Sequence, residues 1–137
     1  MRFTVDIEPI GKARPRFTRS GHAYTPQKTK DAEELIAAAY RAAGGRCIPK
    51  GAPVELEVLA RFPIPKSFSQ KKRGAVLDSE ILPTKKPDAD NILKLVADAL
   101  NGVAYEDDAQ VVRMEVCKEY TALDGGYMEI TIFGGET

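Results

Sequence analysis

The stretch that most constrains this chain runs from Lys86 to Gln110 and reads KPDADNILKLVADALNGVAYEDDAQ. Pro87 disfavours helical geometry at the residue before it and so marks a boundary. Apolar residues then recur at three- and four-residue spacing, which predicts the buried face of a helix. Asn101-Gly102 predicts its end, because glycine readily takes the left-handed conformation of a C-terminal cap. The apolar positions are Ile92, Leu93, Val96, Ala97 and Leu100.

Two aspartates, Asp88 and Asp90, flank one alanine at the predicted start of this helix. Either can serve as the N-cap, whose carboxylate accepts a free backbone N–H group, and negative charge is favoured at that end of a helix. Magnesium and manganese ions also prefer carboxylate oxygens and keep several waters. The pair therefore predicts either a simple cap or two ligands of one divalent ion.

A second acidic cluster, Glu106-Asp107-Asp108, follows just beyond the helix. Asp107 and Asp108 come just before a predicted strand, so we expect both clusters to meet at one end of the sheet and to share an ion. Such an ion polarises a scissile phosphate and activates a water for in-line attack. Lys94, one helical turn after Asp90, is then placed to stabilise the developing negative charge.

Each of these features also has a structural explanation. Acidic clusters are common in solvated turns, and Asp98 fits the solvated face of the helix. Lys94, which lies four residues after Asp90, can simply form an ion pair with it. A calcium-binding EF-hand loop is disfavoured, because the positions that would need glycine and glutamate are Leu93 and Ala99. The residue pattern alone leaves the structural and the catalytic explanations open.

The same stretch closely resembles the motif region of the RusA family of Holliday-junction resolvases. In that family Asp-x-Asp-Asn is followed by a lysine, then by Asp-Ala-Leu, then by Asp-Asp-x-Gln-Val. The resemblance implies a homodimeric, magnesium-dependent endonuclease that cuts four-way DNA junctions by paired incisions in recombination and repair. The matching residues here are Asp88, Asp90, Asn91, Lys94, Asp98-Ala99-Leu100 and Asp107-Asp108-Ala109-Gln110-Val111.

The resemblance also implies the roles of individual site residues. Asp88, Asp90 and Asp108 would be the metal ligands, with Asp107 in a shared or supporting role. Lys94 would be the catalytic cation. The cofactor implied is Mg²⁺, with Mn²⁺ as a substitute. Because a four-way junction has near two-fold symmetry, a two-fold dimer with one site per subunit can place both cuts symmetrically.

The charges of the chain are unevenly distributed, although 20 basic and 20 acidic residues give a net charge of zero. From Arg2 to Lys30 there are seven basic and two acidic residues, and from Arg61 to Lys86 the counts are the same. From Pro87 to Gln110 there are six acidic residues and one lysine. A metal-dependent nuclease needs cations along the phosphate track and carboxylates for its ion. We predict DNA contacts at Lys12, Arg14, Arg16, Lys71, Lys72, Arg73, Lys85 and Lys86, with Asn91 and Lys118 supporting the site.

The order of elements predicts a single α+β domain, with a mixed β-sheet packed against two main helices and an N-terminal basic hairpin. Alternating apolar residues predict the strands, and glycine-containing turns predict the hairpins. The expected elements are a strand at Phe3–Ile7, a hairpin turning at Ser20-Gly21, a helix from about Gln27 to Ala43, a strand at Val54–Phe62, the helix described above, and strands at Val111–Cys117 and Tyr127–Phe133.

Residues 66–85 show no convincing periodicity, so we expect a mobile basic loop that becomes ordered along phosphates. The last four residues, Gly134 to Thr137, should fray. No apolar run approaches the length of a membrane span, and the N-terminus has no signal-peptide pattern. We therefore expect a cytoplasmic protein without membrane contact, in which Cys47 and Cys117 are free thiols.

Two other functions remain open at this point. A nuclease for flaps, replication forks or RNA fits the same residues, because metal chemistry does not fix the shape of the substrate. A non-catalytic nucleic-acid-binding module would keep the basic segments but has no use for paired carboxylates one turn from a lysine. The dimer surface is not indicated, although the last two strands and a face of the first helix are candidates.

Overall fold

A mixed four-stranded sheet carries two long helices on one face. The structure is a computed structural model, which describes residues 1–134. In chain order the elements are β1 (Arg2–Val5), β2 (Arg16–Phe17), β3 (Ala23–Tyr24), α1 (Gln27–Ala42), β4 (Val54–Pro63), α2 (Gln70–Leu77), α3 (Ala89–Leu100), β5 (Val111–Thr121) and β6 (Tyr127–Gly134).

The sheet has the strand order β1-β6-β4-β5, and β2 and β3 form a separate hairpin. β6 is antiparallel to both of its neighbours, whereas β4 and β5 run parallel. Because β4 and β5 are parallel, their starts lie together at Val54 and Val111 and their ends lie together at Pro63 and Thr121. β5 is an edge strand of this sheet, and α3 packs against it.

The core lies between the sheet and helices α1 and α3. Alternate residues of β4 are buried, since successive side chains of a strand point to opposite faces. α3 contacts both α1 and the sheet, so it buries a wider face than its periodicity predicts. Leu95 and Ala99 are buried in addition to the expected residues, whereas Leu93 is only partly buried.

The structure confirms the predicted α+β class and most of the predicted elements. The basic hairpin, both main helices and all four sheet strands are present, with ends shifted by a few residues. Cys47 and Cys117 are free and exposed. Among the described residues, no helix is both long and apolar enough to cross a bilayer.

Two expectations about irregular segments need correction, while the mobility of residues 66–85 and their ordering along phosphates stay predictions. Residues 66–85 are not irregular throughout, because α2 lies within them and the Ser69 hydroxyl caps it by accepting a hydrogen bond from the Lys72 N–H. Only Val76 of this short helix is buried, which explains why no apolar periodicity marks it. Gly134 does not fray but ends β6 in register with Val54. Residues 135–137, also expected to fray, lie outside the described residues.

Candidate functional site

The two aspartates of the Asp-x-Asp pair lie exposed at the start of α3. Asp88 occupies the N-cap position, but its side chain makes no capping hydrogen bond. Asp90 lies in the first turn. Among residues 1–134, neither carboxylate takes part in an ion pair or a side-chain hydrogen bond. Simple N-capping therefore does not account for Asp88, and both carboxylates are free to ligate a cation.

The segment that leads into the basic hairpin passes directly against this helix start. The backbone N–H of Lys12 donates a 2.9 Å hydrogen bond to the carbonyl oxygen of Asn91. A Cβ atom at Gly11 would lie only 2.8 Å from the Cβ of Asn91 and 3.3 Å from that of Pro87, so only glycine fits here. Asn91 thus supports the site through its backbone and by close packing.

Lys12 carries its charge into a partly buried cluster of carboxylates. Its ammonium group pairs with Glu33 on α1 and lies 3.3 Å from the Oδ2 atom of Asp98 on α3. Burial alone would lower the pKa of Lys12, but hydrogen bonds and charge attraction from the two carboxylates outweigh it and raise the pKa. The structure therefore favours a structural role for Lys12 over the predicted phosphate contact.

The ammonium group of Lys94 lies 3.5 Å from Asp98 Oδ2, four residues later in the helix. The expected ion pair with Asp90, four residues earlier, does not form among residues 1–134. Asp98 is thus only partly solvated, because it forms ion pairs with two lysines. The Lys94 side chain remains 63% exposed, whereas that of Asp98 is 27% exposed. An exposed ion pair of this kind is weak, so Lys94 can exchange it for another anion.

The second acidic cluster forms a short 3-10 turn over residues Asp108–Gln110, directly before β5. The carboxylate of Asp107 caps this turn by accepting a 3.0 Å hydrogen bond from the N–H of Ala109. This N–H, followed by the neighbouring side chain of Asp108, lowers the pKa of Asp107 below its ordinary value. Because Asp107 is committed to the cap, Asp108 is the better candidate for a metal ligand.

Gln110, to which the sequence assigned no role of its own, fixes the position of this turn. Its side-chain oxygen accepts hydrogen bonds from the N–H groups of Glu106 (3.0 Å) and Asp107 (2.9 Å). Its side-chain nitrogen donates to the carbonyl oxygens of Pro49 (2.8 Å) and Ala52 (3.0 Å). Its place in the Asp-Asp-x-Gln pattern was the one available signal. Gln110 itself is buried, and all four bonds are partly shielded from water.

The two acidic clusters lie at opposite ends of α3. At its start, Lys118 near the end of β5 donates a 2.6 Å hydrogen bond to the carbonyl oxygen of Lys85. At its end, the N–H of Ile48, which precedes β4, donates to the carbonyl oxygen of Ala104 at 2.8 Å. α3 therefore runs antiparallel to β4 and β5. Its 12 residues make α3 about 18 Å long, and the clusters lie beside its two ends.

The expectation that both clusters meet at one end of the sheet is therefore wrong for a single chain. The start of α3 lies beside the ends of β4 and β5, whereas the 3-10 turn lies beside their starts. Within residues 1–134, no three acidic, histidine or cysteine side chains come close enough together to hold a metal ion. The order of the motif could not reveal this, because it does not specify the direction of the helix across the sheet.

The predicted DNA-binding residues of the hairpin are free. Every residue from Arg14 to Tyr24 is exposed, including Arg16, and Phe17 is 70% exposed. The hairpin does not pair with the main sheet. It is joined to the start of α3 by the anchored residue Lys12, only a few residues before β2. The basic ribbon thus projects from the neighbourhood of Asp88.

The remaining predicted DNA contacts differ in their availability. Lys71 is exposed, and the ammonium group of Lys72 lies 4.0 Å from the centre of the Phe68 ring. Arg73 instead donates to the carbonyl oxygens of Phe68 (3.3 Å) and Pro65 (3.2 Å), which makes it a structural residue of this segment. Lys85 and Lys86 are exposed just before the Asp-x-Asp pair, and Lys118 adds its charge beside them.

Comparison with known proteins identifies the family of the chain. A family model described as endodeoxyribonuclease RusA matches residues 6–132. The chain is 39% identical over 126 residues to an uncharacterized protein, YqaN, of Bacillus subtilis (strain 168). The aligned region covers 88% of each of the two chains. The family match spans the hairpin, both acidic clusters, both long helices, β4 and β5, and leaves out β1 and the last two residues of β6.

Proposed function

Because the chain belongs to the RusA endodeoxyribonuclease family, we propose that it resolves Holliday junctions by paired, symmetric and metal-dependent cleavage of phosphodiester bonds. The observation that carries this proposal is the pair of exposed carboxylates at the start of α3, which make no cap and no ion pair with any of residues 1–134. A helix start that needed only a cap would use the Asp88 carboxylate for it.

Asp88 and Asp90 fit a hard divalent cation such as Mg²⁺ or Mn²⁺, because both supply free carboxylate oxygens. When bound, such an ion polarises the scissile phosphate and lowers the pKa of a bound water. Lys94 binds the negative charge that develops on the phosphate, once it leaves Asp98. Asn91 and the backbone of Lys12 hold the helix start in place beneath these groups.

Asp108 belongs to the same metal site, but it is supplied by a second copy of the chain. The length of α3 keeps Asp108 away from the Asp88 of its own chain. A two-fold dimer in which two β5 edges pair antiparallel places the start of one β5 beside the end of the other. The partner subunit's Asp108 then approaches Asp88 and Asp90, and the same contact is repeated at the second site.

The exposed edge of β5 supports this arrangement. Val112 and Met114 are large apolar residues on this strand, and they are 67% and 42% exposed. β5 is also one of the two longest strands and lies at the edge of the sheet. Long edge strands with exposed apolar residues are usually covered in native proteins, because they invite pairing. A two-fold pairing of β5 covers this edge and completes both metal sites.

DNA binds along the basic surface around the start of α3. The exposed hairpin residues Arg14 and Arg16, together with Lys85 and Lys86, contact phosphates next to the site. Lys71 and Lys72 on α2 extend this track. These contacts are independent of sequence and position the branched DNA so that two symmetric phosphates reach the two metal sites.

The test is cleavage of a labelled synthetic four-way junction in Mg²⁺, beside matched duplex, flap and single-stranded DNA. We expect paired symmetric nicks on the junction alone, lost in Asp90→Asn while junction binding persists. Equal cleavage of flaps or duplex would keep the metal site and overturn the junction preference. Binding without cleavage in either Mg²⁺ or Mn²⁺ would overturn the catalytic proposal.

A further inference from the structure

Two lysines from different parts of the chain share one oxygen atom of Asp98. The ammonium group of Lys12 lies 3.3 Å from Asp98 Oδ2, and that of Lys94 lies 3.5 Å from the same atom. Lys12 is also held by Glu33 and by the backbone bond to Asn91, so it cannot leave this position easily. Lys94 has no other partner among residues 1–134 and is largely exposed.

The ion pair between Lys12 and Asp98 weakens the ion pair between Lys94 and Asp98. A carboxylate whose charge is already neutralised by a fixed ammonium group attracts a second ammonium group less strongly. If Lys12 were absent, Lys94 would be the sole partner of a half-buried carboxylate. Its ammonium group would then be held at Asp98, in the last turn of α3 and away from the helix start.

We propose that Lys12 is a positioning residue for the cleavage reaction. Lys12 neutralises the charge of Asp98 and thereby leaves Lys94 free to reach the scissile phosphate. Glu33 contributes by fixing the Lys12 ammonium group between the two helices. Lys12 does not touch the DNA in this account, although it begins a strongly basic segment. The proposal rests on the proposed function, because it assigns a role within the same site.

Two single variants and their combination test this role. Lys12→Met should lower the single-turnover cleavage rate of a saturated junction by about threefold to fivefold, as expected for strengthening one exposed ion pair. Asp98→Asn alone should leave that rate within about twofold of wild type, since Lys94 is then unpaired. The double variant Lys12→Met/Asp98→Asn should recover the rate, because the carboxylate that retains Lys94 is gone.

Controls separate positioning from folding and from DNA affinity. Arg2→Met removes one positive charge on the outer face of the sheet and should leave the cleavage rate unchanged. Junction affinity measured without divalent metal should be the same for Lys12→Met and wild type. Thermal unfolding must show that each variant is folded at the assay temperature.

The outcomes are distinct. Recovery of the rate by Asp98→Asn in the Lys12→Met background supports the positioning role. A slow double variant that is folded would overturn it, as would a Lys12→Met protein that cleaves at the wild-type rate. If Lys12→Met instead weakens junction binding at an unchanged rate, Lys12 is a DNA contact and the inference fails. Failure of wild type itself to cleave would refute the proposed function and is seen before any variant is compared.

Discussion

The ammonium group of Lys118 donates a 2.6 Å hydrogen bond to the backbone carbonyl oxygen of Lys85, so the end of β5 lies beside the start of α3. Asp108 lies at the other end of β5, in the 3-10 turn that ends just before Val111. Together with the bond from the Ile48 N–H to the Ala104 carbonyl oxygen at the other end of α3, this contact gives the direction of the helix across the sheet. It accords with our proposal that the two acidic clusters of one chain belong to different metal sites, each completed by a second chain.

The hairpin is predicted to supply affinity without sequence preference. Replacing Arg14 and Arg16 by alanine should weaken junction binding and reduce the slope of log K against log salt concentration by about one for each phosphate that is no longer neutralised. The folded structure should be unaffected, since both side chains are exposed. Fluorescence anisotropy at several salt concentrations measures the slope, and Arg2→Ala serves as the control. An unchanged slope would exclude phosphate contacts by these arginines.

The basic residues of α2 are predicted to divide into two kinds. Arg73→Ala should lower the free energy of unfolding by about 1–2 kcal/mol, because it removes bonds to the carbonyl oxygens of Phe68 and Pro65. Lys71→Ala should leave stability unchanged and weaken junction binding. Urea unfolding and anisotropy on the same two proteins distinguish these effects. The assignment is wrong if Lys71→Ala destabilises the fold or if Arg73→Ala affects only binding.

Gln110 is predicted to hold the second acidic cluster in its geometry. Gln110→Ala leaves two N–H groups and two carbonyl oxygens without their partner, which should cost about 2–4 kcal/mol of folding free energy. The cleavage rate should fall by more than the loss of folded protein accounts for, because the turn that carries Asp108 shifts. The matched control is Gln27→Ala, an exposed glutamine at the start of α1. Equal unfolding midpoints for Gln110→Ala and wild type would contradict the assigned role.

The stabilising effect of Lys12 should depend on pH in a defined direction. The pKa of Lys12 is raised above its ordinary value of 10.5 in the folded chain, so the folded state binds the proton more tightly. Its contribution is therefore fully present below that ordinary pKa and is lost as the pH rises through the folded pKa. The stability difference between wild type and Lys12→Met should be constant near neutral pH and shrink in strongly alkaline solution. A difference that grows with pH would contradict this sign.

The sequence predicted an element well where a periodic apolar pattern was followed by residues that end a helix or strand. The apolar spacing from Ile92 to Leu100, ended by Asn101-Gly102, specified α3 almost completely. α2 escaped notice because it buries only Val76, so its existence depends on the Ser69 cap and on the bonds of Arg73. Tertiary contacts of this kind leave no periodicity in the sequence.

The residue types of the candidate site were predictable from the sequence, but their positions relative to one another were not. Asp88, Asp90 and Asp108 are recognisable as ligand types, and the motif gives their order. Their separation follows from the antiparallel course of α3, which depends on how the whole sheet is connected. The ion pairs of Lys12 were also not predictable, because Glu33 and Asp98 come together with it only in the folded chain.

Complementation between two inactive variants tests the shared metal site most directly. Asp90→Asn and Asp108→Asn, carried on differently tagged chains, are coexpressed and the mixed dimer is purified by both tags. In a shared site, both substitutions fall in one of the two sites and leave the other with only native residues. We predict that each homodimer is inactive and that the mixed dimer nicks one strand of the junction in Mg²⁺. An inactive mixed dimer, prepared beside an active wild-type dimer carrying the same tags, would contradict the shared site.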